Sequence, residues 1–289
     1  MISSKLQQLV LFVFIFSSFV LNSQEFQGKA YYMSKTSVDM SNFGRPNMSE
    51  EQRKRMESRL KNMFQKNYVL TFNRTESIYK LEEKLEAPGQ GGGGRFTAIM
   101  GGAVDGVKYK NVQTKASLNE LELFGKLFLV KEDLPKLDWK ITGETKQIGG
   151  YTCYKATAIK TWKDFDMTAL RRPPNRDGAD ESKDATEENT EKEEQPEIEI
   201  TAWYTMQIPI NQGPGDYWGL PGLILEVNSD KTTILCTKIV LNPEDKATIK
   251  QPTKGKEITK EAYVEVATQK FKEMRDNFRR GGQRGGGRR

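Results

Sequence analysis

The side chains that most often carry catalysis are missing from this chain. It holds no histidine and two cysteines among 289 residues. Without histidine there is no Ser-His-Asp or Cys-His catalysis, no His-containing zinc site and no ordinary pH switch. Two thiols cannot supply a four-ligand thiolate site within one chain. Chemistry is left to carboxylate, lysine, serine or tyrosine groups, or to a bound cofactor, and no set of these is arranged as a catalytic site requires. The chain therefore reads as non-catalytic, with no cofactor and no resident metal. The residues with most to offer a ligand are instead aromatic and apolar. Trp203, Tyr204, Tyr217 and Trp218 gather with Leu223 around a stretch rich in glycine and proline.

Strands must position that cluster. Residues 198–204 alternate, with Ile198, Ile200, Ala202 and Tyr204 on one face and Trp203 on the other, so this sheet is covered on both sides or lines a groove. Gly219, Leu220, Pro221 and Gly222 then make a tight turn. Leu220-Pro221-Gly222-Leu223 has the chemistry of a type II β-turn, with proline presetting φ at the second position and Gly222 taking positive φ at the third. The chain enters a half-buried strand over 223–228, where Leu223, Leu225 and Val227 alternate with Ile224, Glu226 and Asn228. Asn228-Ser229-Asp230-Lys231 turns it back into a strand over 232–241. Two readings stand side by side: the turn is structural, or its aromatics bind.

Residues 219–224 spell Gly-Leu-Pro-Gly-Leu-Ile, with Thr201-Ala202-Trp203-Tyr204 before them and Leu225-Glu226-Val227 after. Gly149-Gly150-Tyr151-Thr152-Cys153-Tyr154-Lys155-Ala156 fits the same pattern. Over roughly 25–271, insertions aside, the chain resembles the GLPGLI family of Bacteroidetes envelope proteins. That resemblance implies a secreted, β-rich protein and no established biochemical activity. More loosely, the strand order is similar to the open half-barrel of periplasmic lipoprotein-sorting carriers, an analogy of fold alone.

Residues 1–23 have the form of a signal peptide: Lys5 supplies the positive region, and the apolar run from Leu9 is too short to cross a bilayer comfortably. No cysteine lies near the expected cleavage point at Ser23 or Gln24, so no lipid anchor is expected. One β-rich domain follows over 24–278. Strands are expected over 28–38, 68–73, 77–81, 107–114, 116–123, 126–131, 139–147 and 151–161, close enough in sequence to indicate an antiparallel meander. In 139–147, Trp139, Ile141 and Gly143 alternate with polar neighbours, as on a sheet with one wet face. Ser49 and Gln52 form a capping box that opens a charged helix with an apolar stripe at Met56, Leu60, Met63 and Phe64. A last helix over 259–278 is capped by Thr259 and carries Tyr263, Ala267, Phe271, Met274 and Phe278 on one face. The expected fold is mainly β: a single curved antiparallel sheet or open half-barrel, with both helices packed on it.

Three segments resist folding by composition. Residues 88–95 are a glycine-rich loop without the Gly-Lys-Ser/Thr ending of a phosphate loop. The acidic insertion at 164–197 has almost no apolar residues and no Ca²⁺-loop pattern. The tail 279–289 is Arg/Gly-rich, and Arg279, Arg280, Arg284, Arg288 and Arg289 suit an anionic surface; in an exported protein this argues against nucleic acid. The net charge of +6 averages these opposite extremes. Cys153 and Cys236 both fall in strands and are read either as a disulfide or as two buried thiols. The functional expectation is an exported binding module, soluble in the periplasm or held at the envelope, that docks a protein partner. The alternative is a carrier whose half-barrel holds a lipid or other apolar ligand, with Trp203, Tyr204, Trp218 and Leu223 near its mouth. A filled interior favours the first, and an open apolar cavity the second.

Overall fold

The computed structural model describes residues 26–37, 49–82, 105–161, 197–245 and 248–284. The expected signal peptide, the glycine-rich loop, nearly all of the acidic insertion, and Arg288 and Arg289 lie outside the described residues. In chain order the elements are β1 (Gln27–Thr36), α1 (Glu50–Phe64), β2 (Gln65–Asn73), β3 (Glu76–Leu81), β4 (Val107–Asn111), β5 (Ala116–Leu123) and β6 (Lys126–Asp133). They continue with β7 (Lys140–Ile148), β8 (Tyr151–Thr161), β9 (Glu197–Thr205), β10 (Leu223–Ser229), β11 (Thr232–Leu241), β12 (Lys256–Ile258) and α2 (Lys260–Arg284).

All the strands belong to one open 12-stranded sheet, in the order β12-β6-β5-β4-β3-β2-β1-β11-β10-β9-β8-β7. Two antiparallel meanders, β1–β6 and β7–β11, are joined where β1 pairs with β11. Only β12, too short to read from sequence, runs parallel to its neighbour β6. The simple meander expectation fails at one point: β6 and β7 are consecutive in the chain but lie ten strand steps apart in the sheet order. At ~4.8 Å per strand a flat sheet would separate them by roughly 48 Å. Residues 134–139 reach at most roughly 25 Å. The sheet must therefore curl until its two ends approach one another.

Packing agrees with this. One buried cluster joins Ala30, Tyr32, Leu70, Phe72 and Tyr79 of β1–β3 to Cys153 of β8, by way of Ile208 and Ile210 from the β9–β10 connection and Leu223 and Leu225 of β10. A second holds Ala156, Ile200, Ala202, Tyr204, Tyr217, Leu220, Ile224 and Val227. The simple alternation in β10 breaks because Leu225 is the extra residue of a bulge between Ile224 and Glu226. Beyond it the parity reverses, so Val227 packs with Ile224 and not with Leu223.

Both helix caps form as expected. The Ser49 amide donates to Gln52 Oε1 (3.1 Å) and the Gln52 amide to Ser49 Oγ (3.3 Å). The Ala262 amide donates to Thr259 Oγ1 (3.3 Å). In α2, Tyr263, Ala267 and Phe271 bury against Leu121, Leu123, Phe128 and Val130, with Met274 beside them. That helix continues to Arg284, so the expected tail boundary at 279 is too early. The side chains of Met56, Leu60, Met63 and Phe278 lie outside those described. Among the described residues β7 is a free edge with almost no buried face: Ile141 is 57% exposed, and Gly143 (φ 82°) sits in a bulge. The expectation of one dry face there is overturned, because an edge strand beside a bulge has nothing to pack on.

Candidate functional site

The connection between β9 and β10, residues 206–222, is the centre of the molecule. It folds back on itself through backbone bonds from Leu223 N to Ile208 O (2.9 Å), Ile224 N to Gln212 O (3.1 Å) and Tyr217 N to Pro214 O (3.0 Å). Positive φ falls on Gly219 (φ 93°) and not on Gly222, so the expected type II turn at Leu220–Leu223 is not formed. Gly222 is needed for a different reason: a Cβ there would lie 2.0 Å from the Thr205 carbonyl oxygen. Backbone meets backbone at that point, and only a bare Cα fits. Two tryptophans then fix the turn to the β6–β7 connection. Trp218 Nε1 donates to Pro135 O (2.5 Å), and Trp139 Nε1 donates to Trp218 O (2.8 Å). The same six residues that draw the sheet ends together are thus bonded to the connection that fills the interior.

Beneath this connection lies a lysine that the sequence reading passed over. Lys110 of β4 is fully buried, and its Nζ donates to the carbonyl oxygens of Gly213 (2.7 Å) and Tyr217 (3.1 Å). Burial pushes Lys110 down to about 7; Asp216 works against the shift and Lys108 adds to it. Asp216 receives Lys108 Nζ at 2.5 Å and stands 3.8 Å from Lys160 Nζ. Burial works to raise the Asp216 carboxyl, but Lys108 and then Lys160 outweigh it and hold the group well below the usual carboxylate range. The signal was present in sequence, since Lys108 and Lys110 share one face of β4. Nothing local announces what covers them, so the pair alone does not mark a buried site.

The structure buries most of the expected binding residues instead of exposing them at a mouth. Leu223, Tyr204, Tyr217 and Leu220 are core, while Trp203 and Trp218 are half-buried. Trp203 does face away from Ala202 and Tyr204; Lys146 Nζ lies 4.2 Å from its ring centroid and also pairs with Glu226 at 2.7 Å. Gly219 and Pro221 are exposed at the turn. Cys153 and Cys236 are free thiols, so the bridged alternative is not taken up. Burial raises them to about 11 and about 12, which keeps both protonated and unreactive at neutral pH. Arg279, Arg280 and Arg284 fall in the last turns of α2, and their side chains are not among those described.

On the outer face, a groove of ≈ 530 Å³ crosses β1–β3. Tyr31, Val69, Ile78 and Ile249 give it an apolar lining, and Lys29, Lys80 and Glu82 line it too. These positions alternate with the inward Ala30, Leu70 and Tyr79, so the groove and the filled interior occupy opposite sides of the sheet. Lys238 lies over the Tyr31 ring at 5.3 Å.

Residues 139–226, a span that includes the Gly219–Ile224 hexapeptide, match a family described as a protein of unknown function (Porph_ging). No curated protein sequence matches the chain. Among solved structures, the chain is similar to those described as "Structure of PNGF-II in C2 space group" and "Structure of PNGF-II in P21 space group". The TM-scores are 0.46 and 0.45, each at 14% identity, over 84% and 83% of this chain. The chain spans about a third of the length of those proteins, 32% and 33%.

Proposed function

We propose that this is an exported, non-catalytic binding protein of the cell envelope, of the GLPGLI type, that docks a protein partner on its outer groove. The observation carrying this reading is the distribution of space. The inward side, where a carrier would keep its ligand, is occupied by the 206–222 connection and by α2. The groove across β1–β3 is open and largely apolar, with Lys29, Lys80 and Glu82 in its lining and Lys238 over the ring of its Tyr31. Among the described residues none of these three lysines makes an ion pair. An extended partner segment with apolar side chains flanked by Asp or Glu matches that lining, and its size falls within the ~300–1,000 Å³ of ordinary ligand sites.

The test is native mass spectrometry of the protein purified from its own envelope, repeated with Lys29→Glu/Lys80→Glu. A protein partner present with the wild type and absent with the double variant supports the docking module. A stoichiometric lipid, or recovery of the uncleaved chain from the cytosol, would overturn it.

A further inference from the structure

Two cross-strand rows on the inward face bring an unusual set of polar groups together. Ser77, Lys110 and Ser117 stand directly opposite one another across β3, β4 and β5, and Tyr79, Lys108 and Asn119 form the next row. The 206–222 connection covers them, with Gln212 Oε1 accepting from Ser77 Oγ (2.8 Å). Four atoms of this patch, Ser117 Oγ, Tyr79 OH, Gln212 Nε2 and Asn119 Oδ1, have no hydrogen-bond partner among the described residues. Ser117 and Gln212 are 1% and 0% exposed. Each buried polar group left unpaired costs ~1–3 kcal/mol, and here three lie in two adjacent rows with the fourth, Gln212, in the connection that covers them.

The chemistry of the unpaired groups is one-sided. Ser117, Tyr79 and the Gln212 amide all have protons to donate, and the Lys110 ammonium has a third proton beyond its two carbonyl bonds. The one unmatched group that can only accept is the Asn119 amide oxygen, whose own nitrogen can exchange places with it. Lys110 touches carbonyls and no carboxylate, and the Asp216 carboxylate is already engaged by Lys108 and Lys160.

We propose that this patch binds a small oxyanion, a carboxylate or a phosphate, held by Lys110 Nζ, Ser117 Oγ and Gln212 Nε2 beneath the 206–222 connection. The anion supplies the acceptors these donors lack and a countercharge in direct contact with Lys110, on which Asp216 acts only from farther away. Binding then favours the charged lysine, so it strengthens as pH falls through neutrality. It also ties the connection more firmly to β4, coupling occupancy to the stability of the whole interior.

The experiment is thermal unfolding and isothermal titration with inorganic phosphate and, separately, acetate, at ionic strength matched with chloride, at about pH 6 and about pH 8.5. The expected result is a saturable rise in melting temperature with at least one of the two anions, larger at the lower pH, and the anion that acts identifies the class. Ser117→Ala deletes an unpaired hydroxyl and folds normally; it weakens binding about tenfold, as does Gln212→Leu. Lys110→Met abolishes binding if it folds, and the two milder variants decide the matter if it does not. Lys131→Met, on an exposed pair with Glu257, changes nothing. No saturable rise beyond chloride would overturn the proposal. Equal affinity in Ser117→Ala and the wild type would do the same, as would a crystal structure grown in phosphate with only water at Ser117 and Gln212.

Discussion

Replacing Lys110 with methionine keeps the length of the side chain and removes its ionisation. In the wild type, burial lowers this group from its ordinary 10.5 to about 7. Between those two values the unfolded chain carries a proton that the folded chain lacks, so stability rises with pH through that window. Below about pH 7 both states are protonated, and the full cost of the buried charge is present. Integrated from pH 7 to pH 9, the gain is roughly 2 kcal/mol for the wild type and none for the variant at this site. Urea unfolding followed by tryptophan fluorescence, in chloride buffers free of phosphate and carboxylate, measures both. Taking the difference cancels the buried thiols and tyrosines, which titrate higher and act in the opposite direction. The variant loses the bonds to the Gly213 and Tyr217 carbonyls at every pH, and its profile should be flatter. Parallel profiles over that range would show that Lys110 keeps an ordinary proton affinity and that the account of its burial is wrong.

Gly222→Ala should cost more than about 3 kcal/mol, because the new methyl meets the Thr205 carbonyl, a backbone atom that cannot swing aside. Gly219→Ala should cost only about 1 kcal/mol, from positive φ, since the nearest atoms to its Cβ lie 3.9 Å away on Trp139. Equal urea midpoints for the two would refute the distinction. Tyr32→Phe leaves the Ile224 carbonyl at the β10 bulge without its 2.6 Å donor and should lose about 1–2 kcal/mol by the same assay. Phe271→Ala should cost about 3–5 kcal/mol, as it opens the seal of α2 on β5 and β6. If amide exchange in β5 and β6 were unchanged by that substitution, α2 would be an appendage and not part of the core.

Much of the fold was legible because strand and helix signals are local. Ala116–Leu123 and Tyr151–Thr161 begin and end where alternation and turn residues place them. Ser49, Gln52 and Thr259 cap the helices they announce. What was not legible depends on distance across the sheet. Nothing in residues 134–139 says that β6 and β7 are not partners; that follows from β1 pairing with β11, a choice made by remote strands. The bulge at Leu225 hides inside a run of apolar residues that fits either parity. Gly219 and Gly222 look interchangeable in sequence, and only the approach of Thr205 separates the one that needs positive φ from the one that needs an absent side chain. The candidate site was misplaced for a related reason. Aromatic residues near a turn suggest recognition, but here Tyr204 and Tyr217 fill the interior, while the polar rows on β3, β4 and β5 acquire meaning only under their cover.

The seam between β1 and β11 has a consequence for how the protein is born. β1 is among the first strands to leave the ribosome, and its second neighbour is among the last. Until that neighbour arrives, a nascent chain carrying β1–β6 presents β1 as a bare strand margin, as it does β6 before β12 is made, an invitation to pair with another copy. A product truncated before Thr232 would keep that margin for its lifetime and should collect in aggregates. The margin closes once β11 has been made, so correct folding amounts to a check that synthesis has passed Leu241.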